Sequence, residues 1–394
     1  MKDLFALWLE LSNNGVKLIK MAIDCNLSFV ICPLRDPTEA NKKWLVSLGV
    51  KKIIYSDQKP ELANDFISCS VDDFLPEKRS VHEFLSIIRT SGTSGNPKSV
   101  KLTKEAHLAS ARSVNQYFSL NSQSCFALCM PLYHVSGLSI IFRTLLAKAS
   151  IYVAKDHESL KSAINSNIIT HLSLVPTQLK RLLDDQVPLN KLCAVIVGGD
   201  ALPDHLRELA LKAGTPLFET YGLTETASMV WVKPSHKPEG GLLPHAKMQI
   251  VDKEILVGGE SLFSGYVEQD HKGMFPTGDV VDEQEIKNLK LISRKSNRII
   301  SGGENIQAEE VERVIKSHPQ VLDCVVVPHV DDIFGMRPKA FIKWQKTPIP
   351  DQELYNYILK HLAAFKLPKI IKSWPEDVPV GMKNNRSWFI NTQY

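Results

Sequence analysis

Residues 90–98 read Thr90-Ser-Gly-Thr-Ser-Gly-Asn-Pro-Lys98 and directly follow the apolar run Glu83–Thr90, which has the character of a buried strand. A strand that feeds a loop of glycine and hydroxyl residues suits an anion. Glycine lets backbone amides approach oxygen atoms closely, and Ser and Thr hydroxyls add donors, so such a loop can cradle phosphates. It is not a Walker A loop, which needs Gly-Lys-Ser/Thr in one run, whereas Asn96 and Pro97 here separate Gly95 from Lys98. That sets a P-loop kinase aside. Taken alone the stretch also reads as a flexible polar loop, so its surroundings decide.

Working outward, short apolar runs alternate with amphipathic ones, the pattern of an α/β protein with largely parallel sheets. Strands are expected at Ser28–Cys32, Lys52–Tyr55, Cys125–Met130, Ser150–Ala154, His171–Val175 and Cys193–Val197. Helices are expected at Thr38–Leu48, Pro176–Asp184 and Pro203–Lys212, the last two with Pro in the first turn. The composition changes at Lys233: the Pro- and Gly-rich stretch Lys233–Pro244 leads into Lys247–Val251, Glu254–Val257 and Leu289–Ile292, which read as a small β-rich subdomain. The remainder reads as a self-contained α+β unit, with helices Gln307–Ser317 and Asp351–Ala364 and strands Val321–Pro328 and Lys339–Trp344. We place a domain boundary near Arg294–Ser296, giving a large unit 1–293 and a small unit 294–394.

With 394 residues there is enough chain for two or three such units, and 44% hydrophobic against 23% charged residues is ordinary globular composition. A net charge of +4 without a Lys/Arg block argues against a nucleic-acid binder. The seven cysteines include no Cys-x-x-Cys pair, and Cys125 and Cys129 sit in an apolar run, so core thiols in a reducing cytoplasm are expected. No leader pattern opens the sequence and no apolar run is long enough to span a membrane.

Further motifs follow in order: Pro131-Leu-Tyr-His-Val-Ser-Gly137, Gly198-Gly-Asp-Ala-Leu-Pro203, Tyr221-Gly-Leu-Thr-Glu225, Phe275-Pro-Thr-Gly-Asp279, Ser293-Arg-Lys-Ser-Asn-Arg-Ile-Ile-Ser-Gly-Gly-Glu-Asn-Ile306 and Pro379-Val-Gly-Met-Lys-Asn-Asn-Arg386. Singly, each has a bland reading: His134 as a structural histidine, Glu225 as a solvated residue after a turn, Lys383 as a surface lysine in a tail. As a set in this order, with the 90–98 loop, they resemble the adenylate-forming superfamily of acyl-CoA synthetases, luciferases and peptide-synthetase adenylation domains. The resemblance covers nearly the whole chain.

It implies a large domain of stacked sheets with flanking helices and a β subdomain, then a small mobile C-terminal domain. It also implies roles. Thr90, Ser91, Gly92, Thr93, Ser94, Gly95 and Lys98 would cradle the ATP phosphates. Gly199, Tyr221 and Gly222 would pack on adenine, and Asp279 and Arg294 would take the ribose. Thr224 would bond a phosphate and Glu225 would hold Mg²⁺, the hard oxygen ligand such a cation takes beside polyphosphate. His134, Gly198 and Ser228 would border the acid, Ser301, Gly302 and Gly303 would face CoA, and Lys383 would stabilise charge during adenylation. The sequence departs from the pattern at Ser293 (usually Gly), at the hinge residue Ser296 (usually Asp or Lys), and at Met382, which separates Gly381 from Lys383. The first subdomain is also expected to be shortened.

Within the superfamily, His107-Leu-Ala-Ser-Ala111, His134–Gly137 leading to Arg143, Leu172-Ser-Leu-Val-Pro-Thr-Gln-Leu179, Ser301-Gly-Gly-Glu-Asn-Ile-Gln307, Glu309–Arg313 and Phe334-Gly-Met-Arg-Pro338 resemble the o-succinylbenzoate–CoA ligase branch of menaquinone synthesis. That substrate carries two carboxylates, and the aryl one needs a cation or ordered donors if buried. Arg143 is the candidate, the opposing reading being a solvent-facing structural arginine. The resemblance implies ATP, Mg²⁺ and CoA as the small-molecule partners and leaves room for a homodimer. Its alternatives are a ligase for another carboxylate, an adenylating enzyme that loads a carrier thiol or stops at the adenylate, and a degenerate homologue that only binds.

Overall fold

The computed structural model describes residues 4–34, 38–74, 83–90, 98–200, 202–281, 286–289, 291–294, 297–301, 304–331, 334–376, 378 and 386–391. Along the strand Phe5–Trp8, Phe5 and Leu7 enter one apolar cluster while Ala6 enters another, and Phe29 and Ile31 divide from Val30 in the same way. Strands with two dry faces are what a parallel sheet between helical layers requires. Phe29–Ile31, Phe5–Trp8, Lys52–Tyr55 and Ile67–Ser70 form the parallel part of an eight-stranded sheet, joined by Ser86–Thr90. Phe5–Trp8 is a strand that the sequence reading did not mark, because a short run that is apolar throughout has no period to read.

Antiparallel to Ser86–Thr90 runs Lys98–Leu102, with Thr90 opposite Lys98. The phosphate-type loop therefore connects the arms of a β-hairpin, and Ser91–Gly95 lie outside the described residues. A second, seven-stranded sheet is parallel through Ser150–Val153, Cys125–Leu128, His171–Leu174, Ala194–Val197 and Leu217–Leu223, then antiparallel at Ser228–Pro234. Helices Asn13–Asp24, Lys104–Phe118 and Val135–Ala147 contribute Ile19, Val114 and Ile141 to the core that holds Phe29 and Val100 of one sheet and Phe126 and Ile196 of the other. Helices His157–Asn165, Pro176–Asp184 and Asp204–Lys212 cover the far face of the second sheet. The order is thus helix, sheet, helix, sheet, helix.

The expected β-rich part is a four-stranded antiparallel sheet of Ala246–Val251, Glu254–Gly259, Phe275–Val281 and Leu291–Arg294. Sheet membership then changes. Arg298–Ser301 belongs to a separate five-stranded sheet with Glu304–Gln307, Gly335–Trp344, Val321–Asp331 and Ile370–Ser373, packed by helices Ala308–Lys316 and Asp351–Leu359 on its own core. The terminal helix Arg386–Asn391 buries Phe389 against Phe341, and Arg386 pairs with Glu312 at 2.8 Å. Among the described residues no helix is long and apolar enough to cross a membrane.

Polar groups are also enclosed. His107 stacks on Phe142 with ring centroids 4.3 Å apart, and its Nε2 lies 2.8 Å from the Ser86 hydroxyl. Burial pushes its pKa down from 6.5 to about 3. The unfolded chain therefore takes up a proton first as pH falls. The site costs no stability well above pH 6.5 and progressively more between 6.5 and about 3. At pH 5 the loss amounts to about 2 kcal/mol. The urea midpoint is expected to drop between pH 7.5 and 5, and His107→Gln to flatten that drop; an equal pH response in the variant would refute the assignment.

Candidate active site

Strands buried on both faces leave their ends for chemistry, and in open α/β sheets ligands bind beyond the carboxyl ends. The sequence motifs gather there. His134 follows Cys125–Leu128, Gly198 follows Ala194–Val197 and Thr224 follows Leu217–Leu223. His134 caps the helix Val135–Ala147 with extended backbone, its ring 4.6 Å from that of Tyr133. The turn before it is too tight for a side chain at Gly137, where a Cβ would lie 2.3 Å from the Pro131 carbonyl oxygen. At Gly198 a Cβ would lie 2.4 Å from the Thr220 hydroxyl, so the Gly198–Gly199 turn lies directly against the strand that carries Tyr221.

Leu217–Leu223 and Ser228–Pro234 converge at Gly222, where a Cβ would fall 2.1 Å from the Ser228 carbonyl oxygen. The chain then turns through Thr224–Thr226 as a single 3₁₀ turn, not the start of an α-helix. The buried Thr226 hydroxyl accepts from the Leu223 N–H at 2.9 Å and lies 2.8 Å from the Ser228 carbonyl. Ala227 follows in the left-handed region at φ 53°. Thr224 and Glu225 are left half-exposed on a turn pinned from within. The Glu225 carboxylate accepts from the Tyr266 hydroxyl at 2.9 Å, and its carbonyl accepts from the Phe263 N–H at 2.8 Å.

Asp279 lies on Phe275–Val281 in the antiparallel sheet, 5% exposed, and accepts from the Tyr221 hydroxyl at 2.8 Å. The Gly278 N–H donates to the Glu254 carboxylate at 2.9 Å, which shapes the bend before Asp279. Arg294 is the register partner of Asp279 across the strands. The motifs around 221 and 279 are thus brought together by a side-chain bond between two sheets. Thr90 and Lys98 face each other at the loop end of the hairpin, and the Lys98 ammonium sits 4.7 Å from the centroid of the Tyr266 ring.

Arg143 is not a solvent-facing arginine. It is 1% exposed, and its guanidinium Nη2 donates to the Ser228 hydroxyl at 2.8 Å. Among the described residues no carboxylate pairs with it, and its Nε has no partner. Burial pushes its pKa down to about 10. Burial, with the charge of Arg143 adding to it, also pushes His245 down to about 4, so this ring stays neutral. Ser301 is buried on Arg298–Ser301. Gly302, Gly303, Ser296 and Lys383 lie outside the described residues. Sequence reasoning passed over Tyr266 and His245, whose neighbours are distant in the chain and whose local sequence holds no signal for them.

Comparison with known proteins agrees with this geometry. The model of the AMP-binding enzyme family matches residues 14–267, and that of the AMP-binding enzyme C-terminal domain matches residues 310–380. A 2-succinylbenzoate–CoA ligase of Salmonella typhimurium is 37% identical over 306 residues, 75% of this chain. The chain spans 66% of that ligase's length. Among solved structures, an Escherichia coli MenE variant with bound OSB-AMS superposes with a TM-score of 0.86 at 30% identity, over 98% of this chain and 86% of the other. The o-succinylbenzoate CoA synthetase of Bacillus subtilis in complex with ATP and magnesium ion gives 0.83 at 26% identity, over 94% and 86%. With both family models matched in order, and the motifs converging at the strand ends, the chain belongs to the AMP-binding enzyme family.

Proposed function

We propose that this chain is an ATP-dependent acid–CoA ligase that adenylates 2-succinylbenzoate and transfers it to CoA, a step of menaquinone synthesis in the cytoplasm. Arg143 carries the substrate assignment. A guanidinium buried with no acid beside it among the described residues is costly, and a dicarboxylate would supply the counter-charge. It reaches Ser228, on the strand that leaves the Glu225 turn. The similar Salmonella and Escherichia coli proteins, named for this ligase or bound to OSB-AMS, support the same choice.

The site residues then take these roles. Thr90, Ser91–Gly95 and Lys98 hold the phosphates, while Tyr221, Gly222 and Gly199 bound the adenine. Asp279, held by Tyr221, accepts from the ribose hydroxyls, with Arg294 across the strand pair. His134 and Gly198 border the reacting carboxylate. The donor set fits Mg²⁺: Glu225 offers a hard carboxylate oxygen and Thr224 a hydroxyl beside it. When bound, the ion supplies charge neutralisation to the phosphates. The succinyl carboxylate attacks the α-phosphate, pyrophosphate leaves, and Lys383 with the loop donors stabilises the developing charge. The CoA thiol then displaces AMP from the acyl-adenylate.

We place the division between units at 293/294 and a hinge at 294–296. The change of sheet between Arg294 and Arg298 supports this. Lys316 of the small unit, held at 2.8 Å by Asp323, lies in the field of Asp200 in the turn after Gly199. Rotation about that hinge would withdraw Lys383 and bring Ser301–Gly303 toward the CoA path. Homodimer formation is a further proposal, to be read by sedimentation.

The test follows pyrophosphate and thioester with Mg·ATP, 2-succinylbenzoate and CoA. Pyrophosphate release and CoA-dependent thioester are expected, and turnover of other acids but not this one would reject the substrate. Glu225→Gln and Lys383→Ala should each slow adenylation by about 10²–10³. Wild-type adenylation by Lys383→Ala would overturn that residue's role. Arg143→Gln should cost about 2 kcal/mol or more, a roughly thirty-fold rise in KM for the dicarboxylate, with KM for ATP unchanged. A matching rise with an acid that lacks the aryl carboxylate would show the effect to be structural.

A further inference from the structure

We infer that Tyr266 is a positioning residue: its hydroxyl fixes the Glu225 carboxylate for a divalent cation, and its ring seats the lysine that closes the 90–98 loop. The inference rests on the reading of Glu225 as the metal carboxylate.

The contact is built from both sides. The Tyr266 hydroxyl donates to Glu225 Oε1 at 2.9 Å, and the Phe263 N–H donates to the Glu225 carbonyl oxygen at 2.8 Å. One short segment therefore holds the residue by side chain and by backbone. That segment is in turn locked to Lys98–Leu102. Gly265 and Tyr266 pair antiparallel with Lys101 and Val100, the Ser264 N–H donates to the Lys101 carbonyl at 3.1 Å, and the Val267 N–H donates to the Ser99 carbonyl at 3.0 Å. Gly265 has φ +133°, and a Cβ there would stand 2.4 Å from the Gln269 carbonyl oxygen, so the tight two-strand turn that aims Tyr266 requires glycine.

The consequence is geometric. A carboxylate on a half-exposed turn samples several rotamers. With Oε1 occupied by a donor, the other oxygen is left for the cation in one orientation. The Lys98 ammonium lies 4.7 Å from the centroid of the same ring, a distance at which the ring face attracts a cation. Tyr266 thus couples the end of the phosphate-type loop to the acid across the two large sheets. A purely packing role is the competing account, since the ring also meets Phe263 at 5.0 Å and Phe275 at 6.5 Å. Phenylalanine would preserve that packing and the lysine contact and remove only the hydroxyl.

Titration calorimetry of the full chain with Mn²⁺·ATP, with thermal melting alongside, separates the accounts. Tyr266→Phe is expected to bind Mn²⁺·ATP about tenfold more weakly than wild type. Its melting temperature should be unchanged, and pyrophosphate exchange should be depressed at low Mg²⁺ and partly restored at high Mg²⁺. Affinity equal to wild type, while Glu225→Gln weakens binding, would overturn the role of Tyr266 and leave the Glu225 reading standing. Glu225→Gln without effect on Mn²⁺·ATP affinity would overturn both. A lowered melting temperature with wild-type affinity would make the hydroxyl a structural hydrogen-bond donor and overturn its part in cation binding.

Discussion

A strand with both faces packed in hydrocarbon can present polar groups only where it stops, and most of this molecule follows from that constraint. Phe126, Leu172, Leu174, Val195 and Ile196 are essentially sealed, so His134, Gly198 and Thr224 gather in one row where the strands end. The row holds because three glycines remove side chains where there is no room for them: Gly137 against the Pro131 carbonyl, Gly198 against the Thr220 hydroxyl and Gly222 against the Ser228 carbonyl. Substitution at Gly137 or Gly222 forces backbone apart, which a close-packed interior resists.

The same enclosure makes buried charge informative. A neutral His107 and a neutral His245 fit a dry interior, since burial discourages their protonation. Arg143 cannot follow them, because a guanidinium pushed to about 10 is still a cation at neutral pH. One bond to Ser228 compensates only a fraction of its lost hydration. The proposed dicarboxylate substrate would bring the counter-charge.

The small unit depends on a different anchor. Arg386 ties the last helix to Glu312, whose carboxylate also accepts the Val326 N–H at 2.7 Å. Phe389 enters the core beside it, with Val325, Val327 and Phe341. The helix Arg386–Asn391 is therefore a fixed point on this sheet, while Asp323 and the field of Asp200 act together on Lys316.

Read alone, the sequence carried the family, because motifs such as Tyr221–Glu225 and Phe275–Asp279 are distinctive in residue type and in order. It also carried the alternation of strands and helices and the β-rich stretch after Lys233, because periodicity is a local property. Tertiary structure alone decided what local sequence does not encode. The central strand Phe5–Trp8 became readable only beside its partners Phe29–Ile31 and Lys52–Tyr55. Arg143 reads the same in sequence whether it faces water or the core; its guanidinium meets Ser228, which arrives from elsewhere in the chain. Tyr266 meets Glu225 because strand pairing, a contact between distant segments, brings Gly265–Tyr266 alongside Lys98–Leu102.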